Sequence, residues 1–353
     1  MNQDHTGIRW PAWLAILKIS KVPFQIIWVT PTVFGYRASA RVASARHVIW
    51  FVVAVLGTMV LEGVNCIHNE LVDQEEDRIN QPNRSTLLES VGERTLWTIV
   101  GLGYSVCFLG LIPLYFCVSR AAAIVMLLGG LASPLYNWGP RLKRRPGFAQ
   151  LAIGWAVFCS YMYGWVWNGP SFLEVPRIVW LLTYFFFITS FIKDLPDVRG
   201  DEQVNAPGVF SILNPTIRNA ILAFIYFSPY VLLYCMIVLG LLPYRLEQLL
   251  FLMPVGIVIL ILGQYAHTRE TTIVAYEGAF LYTHLFFLML FCLFSPGAPA
   301  FMLALALFSL RLVALYFGLG PRFVEPGFTW RSAFDTLINN AVRDVFARMQ
   351  AWQ

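Results

Sequence analysis

Long apolar runs with almost no charge recur along the whole 353-residue chain. Several of them approach or reach the ~20 residues that cross a bilayer as a helix. The clearest runs are at 48–61, 95–118, 121–135, 217–241 and 248–263. Only 13% of the residues are charged, against about 25% in a typical soluble domain. A soluble fold of this length cannot bury so much apolar surface, so the sequence predicts an all-α, polytopic membrane protein.

Ten segments have the apolar character predicted for transmembrane helices. They are 13–36, 47–68, 95–118, 121–138, 148–168, 177–193, 217–241, 248–266, 273–294 and 298–318. If the N-terminus is cytoplasmic, most of the 25 Lys and Arg residues fall on the inside, as the positive-inside rule requires. The net charge of +5 therefore reflects topology, and no nucleic-acid partner is expected. We expect an integral membrane protein, in the plasma or inner membrane if the source is bacterial.

The end of the chain has a different pattern. Apolar residues recur at helical spacing over 329–352, with charged and amide residues on the other face. This pattern predicts an amphipathic helix on the membrane surface, the alternative being a helix packed on soluble loops. The chain is thus divided into a membrane domain, 1–320, and an interfacial tail, 321–353.

Acidic residues are scarce and concentrate in two places. Asn69, Asp73 and Asp77 follow one another at intervals of four, with Asn65 before them, so they line one face of a helix. This first motif ends the second span. The second motif, from Lys193 to Asp201, ends the sixth span on the same predicted cytoplasmic side.

Carboxylates stacked on one helix face repel each other, and the cost grows near lipid. A divalent cation removes that repulsion. Mg²⁺ prefers oxygen ligands and is often held by one or two carboxylates together with substrate phosphates. Two such faces could hold a diphosphate through metal ions. Polar span ends are one alternative, and an ion-coupled transporter is another, since acids within the membrane also mark ion paths.

Basic residues follow or precede both motifs. Arg78 and Arg84 follow the first, Lys193 opens the second, and a basic run from Arg141 to Arg145 follows the fourth span. Acids interleaved with bases suit a metal-bridged polyphosphate, in which both charge signs find partners. A cation transporter needs the acids but not the bases.

These motifs resemble those of the UbiA superfamily of intramembrane prenyltransferases. The first is Asn69-xxx-Asp73-xxx-Asp77 with its extension Arg78-x-Asn80-x-Pro82-x-Arg84. The second is Lys193-Asp194-Leu195-Pro196-Asp197-x-x-Gly200-Asp201. Tyr136 with Pro140, Arg141 and Lys143 is similar to the family motif at the end of the fourth helix. The resemblance covers roughly residues 10–295.

The resemblance implies a helical bundle or barrel of nine to ten transmembrane helices whose active site faces the cytoplasm. It implies that Mg²⁺ is held by Asn69, Asp73, Asp77, Asp197 and Asp201, the four aspartates being the catalytic set. Diphosphate contacts are implied for Asn69, Arg78, Arg141, Lys143, Lys193 and Asp194. Tyr136 would lie beside the cation and the acceptor.

The implied activity is ionisation of an isoprenoid diphosphate and transfer of the prenyl group to an aromatic acceptor. Terpene cyclisation and prenylation of a lipid or tetrapyrrole alcohol stay open, and an ion-coupled transporter is less favoured. The chain also departs from the family pattern at three positions. Glu70 stands where many members have Asp, Lys21 precedes Pro23 where an Arg-Pro pair is common, and Arg84 is followed by Ser85 rather than Pro.

Overall fold

The computed structural model describes residues 11–39, 45–74, 77–78, 82–138, 141–145, 147–167, 171–192, 213–266, 268–319 and 329–351. Within these ranges the regular structure is entirely helical. The helices of the first half are α1 (Ala12–Ile19), α2 (Val22–Ala38), α3 (Ala45–Val72), α4 (Pro82–Val91), α5 (Glu93–Leu109), α6 (Leu111–Cys117), α7 (Arg120–Gly130), α8 (Ala132–Asn137) and α9 (Phe148–Val166). Those of the second half are α10 (Arg177–Thr189), α11 (Pro215–Val238), α12 (Met253–Gln264), α13 (Arg269–Phe294), α14 (Ala298–Tyr316) and α15 (Trp330–Ala351). Short 3₁₀ segments occupy Leu142–Arg144 and Tyr244–Leu252.

Six helical segments of the described chain are long and apolar enough to cross a membrane, which confirms the membrane class. They are Ala45–Val72, Glu93–Cys117, Thr216–Val238, Tyr244–Gln264, Glu270–Phe294 and Ala298–Tyr316. The pair α1 and α2 would make a seventh, broken by a bend of 50°. The count of nine to ten spans stays a prediction.

Lys21 lies at the break between α1 and α2 and has a left-handed backbone conformation, with φ at 54°. Pro23 then occupies the first turn of α2, where its missing N–H has no helical partner to lose. The Lys-Val-Pro sequence therefore ends one helix and begins the next. Lys21 therefore lies at the bend, outside the regular geometry of both helices.

The chain divides into two compact units. The first comprises Met1–Arg141, Cys159–Leu173 and Ser309–Glu325. Its helix α3 packs against α1, α2, α5 and α8. An apolar cluster around Ile19, Val64, Leu71 and Leu87 fills the space between α1, α3 and α4.

Within this first unit, α2 and the end of α9 approach so closely that only glycine fits at the contact. A Cβ atom on Gly35 would collide with the carbonyl oxygen of Tyr161, and one on Gly164 with the carbonyl oxygen of Thr32. Small residues at such crossings let two membrane helices pack backbone to backbone. Phe34 and Tyr161 extend the contact with an edge-to-face ring pair at 5.3 Å.

The second unit comprises Leu142–Phe158, Glu174–Phe308 and Pro326–Gln353. Its core is aromatic, with Phe185 of α10 stacked on Phe286 of α13 at 3.9 Å. The hydroxyls of Tyr230 and Tyr282 are hydrogen-bonded to each other in the same core. Helix α15 packs on α12 and α13, where Ala333 and Leu337 contact Val274. The tail sequence thus forms the helix its spacing predicts, while its place at the membrane surface stays a prediction.

Candidate active site

The first acidic motif lies where α3 ends, and it keeps helical geometry past that end. The backbone N–H of Asp73 donates to the carbonyl of Asn69 at 3.0 Å, and that of Asp77 to the carbonyl of Asp73 at 2.8 Å. These i to i−4 bonds hold the three side chains on one face. Asn69 and Asp73 are half-buried, and Asp77 is 8% exposed. The sequence spacing therefore predicted this local arrangement of oxygen-bearing side chains.

An ion pair lies directly behind this face. The Lys21 ammonium is 2.7 Å from Oε1 of Glu70, which is fully buried. Both residues stand at positions where the chain departs from the pattern of the family it resembles. The pair joins the break between α1 and α2 to the residue next to Asn69.

His68 precedes Asn69 on α3 and packs among aromatic side chains. Its ring is fully buried against Trp97, Tyr104 and Trp138, with centroids 5.6, 5.8 and 4.6 Å away. Its Nδ1 lies 3.2 Å from the hydroxyl of Tyr104. The histidine packs between α3, α5 and the end of α8, which fixes the helix that carries the motif.

The remaining predicted site residues are spread over both units or lie beyond the described ranges. In the first unit, Arg78 and Arg141 are exposed and Tyr136 is half-buried; in the second, Lys143 is half-buried. Arg141 has a left-handed backbone, with φ at 45°. The second motif, with Lys193, Asp194, Asp197 and Asp201, lies outside the described residues.

The oxygen donors on the α3 face fit a magnesium ion. An amide oxygen and two carboxylates are the ligand types that Mg²⁺ prefers, and this ion commonly completes its shell with waters and substrate phosphates. Across the described ranges no three His, Cys, Asp or Glu side chains converge on one point. Asn69, Asp73 and Asp77 are oxygen-bearing side chains of the kind that hold Mg²⁺ together with a substrate phosphate.

The second unit contains a cavity of about 540 Å³, a volume typical of ligand pockets. It lies between the start of α11, the end of α12, the start of α13 and one residue of α15. Tyrosine rings and short apolar side chains form most of its wall. Its polar lining residues are Arg218, Asn219, Gln264, Thr272 and Asp344. The tail helix thus contributes Asp344 to an internal cavity, which the sequence pattern of its polar face did not reveal.

Sequence reasoning also passed over Glu62, an acid within the apolar α3. It is 8% exposed, lies seven residues before Asn69, and forms a side-chain hydrogen bond with Asn65. Asn65 in turn accepts a hydrogen bond at 2.9 Å from Nδ2 of Asn137 on α8. The sequence did contain a signal for Glu62: it is an acid within an apolar run, seven residues before Asn69.

The helical architecture and the acidic face match a known class of membrane protein. The model of the UbiA prenyltransferase family matches residues 28–271, which is more than half of the chain. The chain therefore belongs to the UbiA prenyltransferase family. Since the matched range contains both acidic motifs, the resemblance inferred from those motifs is confirmed.

Solved structures with the same fold include a UbiA homolog from Archaeoglobus fulgidus bound to DMAPP and Mg²⁺. It shares 15% identity at a TM-score of 0.57, covering 80% of this chain and 99% of that one. A structure of digeranylgeranylglyceryl phosphate synthase has 16% identity and a TM-score of 0.55, covering 80% of this chain and 99% of that one.

Among characterised relatives, digeranylgeranylglyceryl phosphate synthase of Sulfurisphaera tokodaii is 30% identical over 159 residues. This match covers 42% of the chain and 52% of the relative, so the chain spans about half the length of that relative.

Proposed function

We propose that this protein is a Mg²⁺-dependent prenyltransferase that ionises an isoprenoid diphosphate within the membrane. The observation that carries the proposal is the continuous face of Asn69, Asp73 and Asp77, which lies in the family-matched part of the chain. Two solved homologs of the same fold are bound to DMAPP or GPP together with Mg²⁺, which supports the donor class and the metal.

The proposed roles follow the chemistry of each side chain. Asn69, Asp73 and Asp77 bind metal, and the same role is assigned to Asp197 and Asp201 of the second motif. Contacts to the diphosphate oxygens are assigned to Asn69, Asp194, Arg78, Arg141, Lys143 and Lys193. Tyr136 contributes an electron-rich ring, which favours a nearby allylic cation.

Held by Asn69, Asp73 and Asp77, Mg²⁺ would supply positive charge that neutralises the diphosphate leaving group. The basic side chains also stabilise the negative charge that grows on the leaving group. The membrane interior limits the access of bulk water, so the acceptor captures the cation before water does. The proposed site faces the cytoplasm, where soluble isoprenoid diphosphates are made available.

Two classes of acceptor are proposed. The second motif resembles that of homogentisate-type members, which favours an aromatic ring. The matched relative from Sulfurisphaera tokodaii is named as a synthase of a glyceryl phosphate lipid, which favours an alcohol instead. The match to this relative extends over 159 residues, far more than the length of one motif, so the alcohol is the stronger candidate.

The test is to incubate purified protein with Mg²⁺ and either DMAPP or geranyl diphosphate, with no acceptor, an aromatic acid or a glyceryl phosphate. Mass spectrometry then identifies the products. Prenylated acceptor is the expected result, and Asp73→Asn should abolish it while the protein stays folded. A terpene hydrocarbon formed without acceptor would indicate a cyclase, and no diphosphate release from any donor would overturn the proposal.

Substitutions of Lys193 distinguish a prenyltransferase from a cation transporter. Charge-assisted contacts to phosphate are worth about 1.5–3 kcal/mol, so Lys193→Ala should weaken binding of a non-hydrolysable prenyl diphosphate analogue about 10- to 100-fold. Lys193→Arg should recover part of the loss, since it keeps the charge. Arg94→Ala, at an exposed position on α5, serves as the control. Equal affinity in all four proteins would remove Lys193 from the diphosphate site.

A further inference from the structure

A small polar cluster lies deeper in α3 than the metal-binding face. Glu62 precedes Asn69 by seven residues, which is nearly two helical turns, so the two side chains differ in direction by only about 20°. At a rise of 1.5 Å per residue, Glu62 lies about 10 Å further along the helix. The face that carries Asn69 and Asp73 therefore continues inward to a carboxylate.

The hydrogen bonds of this cluster fix the orientation of two amides. Oδ1 of Asn65 accepts from Nδ2 of Asn137, at 2.9 Å. This leaves Nδ2 of Asn65 to donate to the Glu62 side chain, which lies one helical turn before it. With Glu62 ionised, turning either amide around would break this chain of donors and acceptors.

The fixed orientation leaves one acceptor unused. Oδ1 of Asn137 has no hydrogen-bond partner among the described residues, and the whole side chain is fully buried. Buried polar atoms are rarely left without a partner, and each exception calls for a physical explanation. Because Asn65 and Asn69 are only half-buried, the face that bears the cluster is not sealed by packing.

A purely structural role, in which the cluster holds α3 and α8 together, accounts for only part of this arrangement. That role needs the hydrogen bond between Asn65 and Asn137, but it needs neither a carboxylate at position 62 nor an unused acceptor. A charge inside a membrane protein is costly and commonly marks a functional site. The Glu62 carboxylate and Oδ1 of Asn137 are two hydrogen-bond acceptors on neighbouring helices, linked through Asn65.

We propose that this cluster binds the prenyl acceptor, with Glu62 as the catalytic base and Oδ1 of Asn137 as a positioning contact. The inference rests on the proposed function. It assigns the acceptor to molecules that carry two hydrogen-bond donors, one on the reacting hydroxyl and one on a neighbouring group. Both a dihydroxylated aromatic ring and a glycerol-type diol have this chemistry.

The step balances without any oxidant or reductant. The bond between the prenyl C1 and the diphosphate oxygen breaks, and its electron pair leaves with the diphosphate. The acceptor hydroxyl forms a new carbon–oxygen bond to C1, and its proton passes to the Glu62 carboxylate. If an aromatic carbon attacks instead, the same carboxylate takes the ring proton.

The test uses the full-length protein in detergent with Mg²⁺ and geranyl diphosphate, measuring released diphosphate and prenylated acceptor separately. General-base catalysis contributes about 10²- to 10⁴-fold. Glu62→Gln should therefore lower transfer at least about 100-fold while diphosphate release persists and water captures the prenyl group. Glu62→Asp should restore part of the transfer, and Glu89→Gln, exposed on α4, should behave as wild type.

Matched acceptor pairs test the contact to Asn137. One pair is homogentisate against 3-hydroxyphenylacetate, and the other is a 1-O-alkylglycerol against the corresponding glycol monoether. Asn137→Ala should raise KM about tenfold for the member of one pair that has two donors and leave its partner unchanged. The pair that responds identifies the acceptor class.

Two results would overturn the inference. One is that Glu62→Gln transfers at the wild-type rate, and the other is that it loses transfer and diphosphate release equally, as a purely structural residue would. If the wild-type protein releases diphosphate but Asn137→Ala changes KM equally for both members of every pair, Asn137 is removed from the site. A wild-type protein inert toward every prenyl diphosphate would instead refute the proposed function.

Discussion

At the scale of single residues, Lys21 and Glu70 show how two departures from a family pattern can form one interaction. Glu70 is fully buried and Lys21 is about a quarter exposed, at 27%, so the pair is partly shielded from water. Removing either partner leaves a charge in a poorly solvated place. Neither residue was predicted to pair with the other, because the sequence separates them by almost fifty positions and an ion pair leaves no periodic signal.

A double-mutant cycle tests this pair. Lys21→Met and Glu70→Gln should each lower the thermal stability of the detergent-solubilised protein, and the double variant should lose less than the sum. The expected coupling energy is about 0.5–3 kcal/mol, the range for residues in direct contact. The combined change Lys21→Arg with Glu70→Asp should be better tolerated than either single change. Strict additivity would show that the 2.7 Å contact carries no stability.

At the scale of helices, the sequence predicted the positions of the helices better than it predicted individual side-chain contacts. Each of the ten apolar segments coincides with helical structure in the described ranges, because apolar length is a strong local signal. The spacing of Asn69, Asp73 and Asp77 likewise predicted their common face. The Glu62–Asn65–Asn137 chain was not predictable, since it depends on how α8 packs on α3. Close packing of that kind has no signature in hydropathy.

The crossing of α2 and α9 gives a test of helix packing. Gly164→Ala would place a methyl group against the carbonyl oxygen of Thr32, so one helix must move. Overpacking of this sort typically costs about 1–3 kcal/mol, and a lower midpoint of thermal unfolding in detergent is expected. Gly101→Ala on α5 is the matched control, because no atom lies within 4 Å of its added Cβ. A stable Gly164→Ala protein would contradict the close approach.

The tail helix α15 gives a second test, because its apolar residues point in two directions. Leu337 is 1% exposed and packs with Val274, whereas Phe334 is 48% exposed. Leu337→Ala should destabilise the protein by about 2–5 kcal/mol, the usual cost of truncating a buried leucine. Phe334→Ala should leave the thermal midpoint in detergent nearly unchanged. Equal effects of the two substitutions would mean that α15 does not dock as described.

At the scale of the whole molecule, topology depends on charges that lie between the helices. The predicted orientation has both termini and the basic tail in the cytoplasm, since most Lys and Arg residues then lie inside. Helix lengths alone do not determine this arrangement, because a helix of suitable length crosses equally well in either direction. The odd or even number of crossings is what decides whether the two ends of the chain share a side.

Cysteine labelling in sealed vesicles tests whether the number of membrane crossings is odd or even. Gln3→Cys and Gln350→Cys, made in a background lacking the six native cysteines, should both react only with reagent on the cytoplasmic side. Thr95→Cys, at the start of α5, is predicted to lie on the cytoplasmic side as well and serves as an internal marker. A tail that labels from the opposite side to Gln3 would establish an odd number of spans. An odd number is compatible with nine spans and excludes ten, so the basic tail would then lie on the side opposite to the N-terminus.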